Sequence, residues 1–129
     1  MKIQESAENY LETILILKKQ KGAVRSIDIV NWMEYSKPSI SVAMKRLRQN
    51  GYIQMDPSGY ITLTEAGRAI AERVYERHQV LSRMLMELGV SEETALKDAC
   101  RMEHVLSQES FEKIRSHGEG TKRQNGHQA

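Results

Sequence analysis

A single cysteine, Cys100, in 129 residues rules out an intrachain disulfide and points to a reducing compartment, the cytoplasm. No apolar run approaches the ~20 residues needed to cross a bilayer. Met1-Lys2-Ile3-Gln4-Glu5 has no apolar core of the kind a secretory signal carries. There is no Gly-rich phosphate loop and no internal repeat. Aromatics are few, but the apolar and charged fractions are ordinary for a soluble protein. What is left is one domain, or one domain with an appendage, large enough for a real core.

Charge is absent locally rather than globally. Ser36 to Tyr52 holds Lys37, Lys45, Arg46 and Arg48 and no acid. Ser91 to Glu112 holds Glu92, Glu93, Asp98, Glu103, Glu109 and Glu112 against Lys97 and Arg101. A net charge of +2 therefore hides two faces. The first suits a polyanion and the second a cation.

In chain order, Ser6 to Lys21 reads as a helix. Tyr10, Ile14 and Leu17 recur at helical spacing beside Leu11 and Leu15, and Lys18, Lys19 and Lys21 load its C-terminal end. Val24-Arg25 reads as a short extended link. Ser26 is expected to cap a second helix to about Glu34, with Ile27, Val30 and Met33 or Trp32 inward. After the turn Tyr35-Ser36-Lys37-Pro38, Pro38 suits the first position of a third helix ending at Asn50-Gly51. Its inner stripe is Ile40, Ala43, Met44 and Leu47. Its outer face is Pro38, Ser39, Val42, Lys45, Arg46 and Gln49, with Ser41 at the border.

A short helix, a tight turn and a helix with a Ser/Lys/Arg/Gln outer face make a helix-turn-helix pattern. A solvated basic helix would look similar, but Val42 in the middle of that face gains nothing in water. It is well suited to a thymine methyl. Tyr52 to Met55 and Tyr60 to Leu63, joined by Asp56-Pro57-Ser58-Gly59, read as a β-hairpin. A hairpin directly after a helix-turn-helix is the wing of a winged-helix DNA-binding domain.

From about Thr64 to Leu88 a long helix is expected, with Ile70, Val74, Leu81, Leu85 and Leu88 as its apolar stripe. His78 lies inside that stripe, where a satisfied core histidine is the ordinary reading. Gly89 ends the helix and Ser91 caps the next. Ser107 to Arg115 reads as a last short helix anchored by Phe111 and Ile114, and the polar tail after His117 is expected to be mobile. The expected fold is mainly α with a small β-hairpin. A winged-helix DNA-binding domain (1–63) precedes a second, helical domain (64–117, with 64–75 in the connecting helix) and a tail (118–129).

The acidic helix carries Asp98-Ala99-Cys100-Arg101-Met102-Glu103-His104. Cys100, Glu103 and His104 stand at i, i+3 and i+4, so thiol, carboxylate and imidazole project from one face. That donor set suits a borderline transition ion rather than Mg²⁺ or Ca²⁺. A buried Cys acting as a small hydrophobe beside a solvated Glu-His pair gives the same pattern, and a Cys-His nucleophile finds no oxyanion hole nearby.

Together these features resemble the diphtheria toxin repressor and manganese transport regulator family of metal-dependent transcriptional regulators. The resemblance covers about residues 6–116. It rests most on Asp98 to Ser107, with support from Glu8-Asn9-Tyr10-Leu11-Glu12, Ser36-Lys37-Pro38-Ser39-Ile40-Ser41, Leu63-Thr64-Glu65-Ala66-Gly67-Arg68 and Arg77-His78. It implies metal ligands at His78, Cys100, Glu103 and His104, with Glu12 as the helix-one carboxylate of the manganese-type members. Asn9 stands where relatives carry Met or Asp, and only its amide oxygen could coordinate.

The resemblance further implies that 64–117 is a metal-binding and dimerisation domain and that the protein is a homodimer, which gives Ala95, Ala99, Met102 and Leu106 a purpose that core packing serves equally well. Ser82 and Leu96 replace ligands of an additional site in iron-type relatives, so one principal site is expected. The chain stops before the SH3-like domain of the longer members. Cys100 is the iron-type choice and Glu12 the manganese-type choice.

The implied function is a DNA-binding regulator, expected to repress metal-homeostasis genes, that senses Fe²⁺ in preference to Mn²⁺. Zn²⁺, Co²⁺ or Ni²⁺ could serve in vitro. Its expected partner is a palindromic operator in double-stranded DNA, with no membrane and no small organic substrate. Ser36, Lys37, Pro38, Ser39, Ser41, Val42, Lys45, Arg46 and Arg48 would face that DNA. The competing readings are a metal-independent winged-helix regulator and, more remotely, a small metal hydrolase. No general base can be named for the latter, so no enzyme is expected.

Overall fold

The computed structural model describes residues 5–128, with side chains described through residue 119. Along the chain run α1 (Glu5–Lys21), β1 (Val24–Arg25), α2 (Ser26–Met33), α3 (Lys37–Gln49), β2 (Ile53–Met55), β3 (Tyr60–Leu63), α4 (Glu65–Glu87), α5 (Glu92–Val105) and α6 (Gln108–Gln128). Two compact units are separable, one up to Val74 and one from Tyr75 onward, so the division falls within α4. No helix among the described residues is long and apolar enough to cross a membrane.

In the first unit, α1 buries Leu11, Ile14, Leu15 and Leu17, and α3 buries Ile40, Met44 and Leu47. Those from α1 and α3 sit at the i, i+3, i+4 spacing of an amphipathic helix. Val24, Ile29, Ile53, Ile61, Ala71 and Val74 are buried as well, and α1, α2 and α3 contact one another and the sheet. The expected link Val24–Arg25 is a strand instead, because its backbone pairs antiparallel with β3 (Val24 opposite Ile61, Arg25 opposite Tyr60). The wing is therefore a three-stranded sheet in the order β1-β3-β2. Strand alternation turns Val24, Ile53 and Ile61 into the core and leaves Gln54 and Thr62 outside.

Capping sets the helix-turn-helix corner. The N-cap of α2 is Arg25 rather than Ser26, and its N–H donates to Asp28 Oδ2 at 2.9 Å. That bond, followed by the Lys21 ammonium 3.0 Å from Oδ1, holds the Asp28 carboxyl below its ordinary pKa. α2 ends at Glu34 in the left-handed conformation (φ 59°), which is sterically costly for a residue other than glycine. Ser36 then caps α3, accepting from the Ser39 N–H at 3.3 Å, and Pro38 follows within the first turn.

The wing is fastened to the start of α4. The Thr64 hydroxyl donates to the Gly51 carbonyl at 2.6 Å and accepts the Gly67 N–H at 3.2 Å. The Thr64 N–H donates to the Tyr52 carbonyl at 3.0 Å. A Cβ on Gly67 would run into that same Tyr52 carbonyl. Glycine is needed here for close approach, not for its backbone freedom.

In the second unit, Leu81, Ala95, Ala99 and Phe111 are buried. Ser91 caps α5 through the Thr94 N–H at 3.4 Å, and Ser107 accepts the Ser110 N–H at 3.1 Å at the start of α6. Leu88 does not continue the α4 stripe: it lies past the helix end at Glu87 and is 75% exposed. α6 also runs beyond the expected Arg115, through the segment read as a tail, to Gln128. No proline follows Pro57, and glycine weakens a helix by only about 1 kcal/mol per residue, without blocking it.

Candidate metal centre and nucleic-acid face

The last turn and a half of α5 gathers Cys100, Glu103 and His104. Their ligand-capable atoms lie within 4.8 Å of one another. Glu103 is 1% exposed and its side chain is fully enclosed. One carboxylate oxygen, Oε2, lies 3.0 Å from Nδ1 of His78 on α4. The other, Oε1, accepts no hydrogen bond among the described residues and faces His104 Nε2 at 3.4 Å.

A buried carboxylate oxygen left without a partner costs on the order of 1–3 kcal/mol or more. A divalent cation bound among these donors would remove that cost. The donor chemistry fits as well: thiolate, imidazole and carboxylate at one point select a transition ion. His78 joins this cluster through its ring, which pairs with the buried Glu103 carboxylate.

The expected α1 ligands lie in the first unit. Glu12 is buried and Asn9 half-buried, and the Asn9 backbone carbonyl accepts the Thr13 hydroxyl at 2.8 Å. Glu8, one turn before Glu12, is paired at 2.6 Å with Arg73 in the α4 part of the same unit. Ser82 is buried with its hydroxyl donating to the Gln79 carbonyl at 3.2 Å, and Leu96 is 40% exposed. Neither is a strong ligand type.

On α3, Lys37, Pro38, Ser39, Ser41, Val42, Lys45, Arg46 and Arg48 are all exposed, as is the capping residue Ser36. Val42 is 52% exposed in the midst of them. The Ser36 hydroxyl donates to Ser39 Oγ at 2.9 Å, so those two side chains are pre-set rather than loose.

The expected dimer face needs correction. Ala95 and Ala99 have no exposed surface, so packing within the chain uses them and they cannot meet a partner. Met102 and Leu106 are half-buried. The exposed large apolar side chains of this unit are Met86, Leu88, Leu96 and Val105, the last 76% exposed.

One participant was not anticipated from sequence. Arg77, just before His78, is buried and reaches the end of α5 and the start of α6. A lone arginine in a helix ordinarily reads as solvated. Its signal in the sequence is the Arg77-His78 pair, one of the stretches that carry the family resemblance.

Known proteins similar to this chain carry the same two domains in the same order. Residues 2–60 match the family of iron dependent repressor N-terminal DNA binding domains. Residues 64–124 match the iron dependent repressor metal binding and dimerisation domain. The transcriptional regulator MntR of Salmonella typhimurium is 38% identical over 109 residues, covering 84% of this chain and 69% of that one. An uncharacterised HTH-type transcriptional regulator of Methanocaldococcus jannaschii is 31% identical, covering 88% and 92%. Among solved structures, the manganese regulator SloR superposes with a TM-score of 0.76 at 24% identity, over 90% of this chain and 54% of SloR. A manganese-dependent transcriptional repressor in complex with manganese gives 0.77 at 25% identity, over 85% and 51%. The chain thus spans about half the length of these two structural neighbours. Two matched domain families in the right order, with a relative of this similarity, settle the assignment: the chain belongs to the iron-dependent repressor family, which includes the MntR transcriptional regulators.

Proposed function

We propose that the protein is a metal-dependent DNA-binding transcriptional regulator, a repressor of metal-homeostasis genes that senses Fe²⁺ or Mn²⁺. The observation that carries this reading is the enclosed Glu103 carboxylate, with one oxygen unsatisfied among a thiol and two imidazoles. His78, Cys100, Glu103 and His104 would hold the ion. From the resemblance alone, α1 adds Glu12 and, through its amide oxygen, Asn9. A bound ion would supply positive charge to the crowded Cys100, Glu103 and His104 donors and to His78, which pairs with Glu103.

Cys100 binds as thiolate and both histidines as neutral rings, so affinity falls with acid and with oxidation of the sulfur. A reducing cytoplasm preserves the thiolate. Sulfur favours Fe²⁺ over Mn²⁺, so Fe²⁺ is the preferred ion of this reading.

The exposed cations Lys37, Lys45, Arg46 and Arg48 hold phosphates, while Ser39, Ser41 and Val42 approach base edges. The regulator acts as a homodimer on a palindromic operator. Met102 and Leu106, with exposed Leu88 and Val105, supply its apolar contact. DNA affinity responds to the ion only as far as the ion prefers the DNA-fitting arrangement, and a hundredfold preference is about 2.7 kcal/mol. An anaerobic electrophoretic shift titrated with Fe²⁺, Mn²⁺ and Zn²⁺ tests the reading. Metal-dependent retardation, strongest with Fe²⁺, is expected; equal retardation with and without every ion would sink it.

A further inference from the structure

The last turn of a helix is its weakest part, because its final carbonyls have no partner within the helix. α5 ends at Val105, and the Leu106 N–H bonds back to the Met102 carbonyl at 3.1 Å. The next carbonyl belongs to Glu103. Arg77 takes it: Nη1 donates to the Glu103 carbonyl at 3.1 Å and to the Leu106 carbonyl at 2.8 Å. Nη2 donates to Gln108 Oε1 at 2.9 Å, and the guanidinium carbon lies 5.2 Å from the Phe111 ring centroid. The guanidinium is thus fixed on one side by α6 and spent on the other at the end of α5. A cation there also opposes the negative end of the helix dipole.

Burying a guanidinium is expensive unless its bonds are made, and an apolar side chain would fill this position more cheaply. What the arginine adds is a hold on one residue from both directions. Glu103 is gripped at its backbone by Arg77 and at its carboxylate by His78, the next residue of the same turn of α4. Two neighbours on α4 therefore set both the main chain and the side chain of the most enclosed donor.

We propose that Arg77 is a positioning residue for the metal centre, holding the last turn of α5 so that Cys100, Glu103 and His104 converge before the ion arrives. This rests on the metal-binding reading above. Loss of a group that orients ligands typically weakens metal affinity about 10- to 100-fold.

The test is an anaerobic Co²⁺ titration of the full chain, read by the thiolate-to-cobalt charge-transfer band and the visible d–d bands. Wild type should show both. Arg77→Met, similar in length and without donors, should bind Co²⁺ about 10- to 100-fold more weakly, with a changed d–d envelope at saturation and unchanged helical circular dichroism. Arg77→Lys, which can still donate to the carbonyls, should recover part of the affinity. If Arg77→Met folds less stably yet binds Co²⁺ with wild-type affinity and spectrum, the arginine is only structural and the proposal is wrong. Should Arg77→Met not fold, Gln108→Leu decides. Freeing the guanidinium on its α6 side should weaken Co²⁺ binding several-fold, and wild-type binding would overturn the proposal. A wild-type protein without the charge-transfer band would overturn the metal-centre reading itself, a failure distinct from that of Arg77.

Discussion

The outer face of α3 and the end of α5 present their charged side chains in opposite ways. On α3 the cations stand in water around an exposed Val42. On α5 the Glu103 carboxylate is 1% exposed and held by Arg77 and His78 of α4. On the proposed function, the difference follows from the ligands. A polyanion offers many equivalent charges, so mobile exposed cations suffice, and each contributes a similar increment that salt weakens. A single ion has to be gripped by a few desolvated donors, so geometry decides, and losing one donor removes much of the binding.

That contrast can be broken most sharply at Glu103. Glu103→Gln keeps the shape and removes the charge. It should reduce Co²⁺ or Mn²⁺ affinity by at least about 100-fold in a calorimetric titration, beyond the loss expected from an orienting group. A change below tenfold would mean that the enclosed carboxylate is not a ligand.

A smaller effect is expected at Gly67. Gly67→Ala should lower stability by about 1–3 kcal/mol in thermal melts, the usual range for a forced steric insertion. It should leave the cobalt spectrum of the saturated protein intact. Unchanged stability would show that the wing-to-α4 junction is looser than its backbone contact implies.

Single losses on α3 should be smaller again and graded. Lys45→Met and Arg46→Met should each weaken binding to any duplex, lowering the slope of log affinity against log salt by about 1. Val42→Ala should change preference among sequences with little change in that slope. If either cation variant abolished binding outright, α3 would be working by geometry as α5 does.

The smallest effect concerns Asp28. Its folded pKa is depressed, so its stabilising contribution is complete above the ordinary carboxylate value of about 3.9 and is lost as the pH falls through the lower folded value. Melting temperatures of wild type and Asp28→Asn should differ most near neutrality and converge in acid. A gap that widened in acid would reverse the sign of this account.

The same contrast governed what could be read from sequence. α3 was legible because its two faces differ in chemistry, and its cap and proline mark where it starts. The triad on α5 was visible as a spacing, but enclosure and the unsatisfied oxygen of Glu103 belong to the tertiary structure. α2 misled: Ile27, Ile29, Val30, Trp32 and Met33 surround an eight-residue helix and define no single face. Ile29 proved to be the buried one, while Ile27 and Trp32 are 44% and 48% exposed. The pairing of Val24–Arg25 with β3 joins segments far apart in sequence, and two residues carry no alternation to read. The full length of α6 escaped because its second half has neither an apolar stripe nor a terminating proline. Arg77 was unreadable for a simpler reason: burial of an arginine is decided by carbonyls contributed by other helices.

The central claim is that the metal centre and the DNA face are energetically coupled, and coupling between two ligands must be reciprocal. The direct measurement is the Mn²⁺ dissociation constant under anaerobic conditions, with and without a saturating duplex selected from a random pool by the metal-loaded protein. The account predicts tighter Mn²⁺ binding in the presence of DNA, by the same factor by which Mn²⁺ tightens DNA binding. Equal Mn²⁺ affinity with and without the duplex would contradict it.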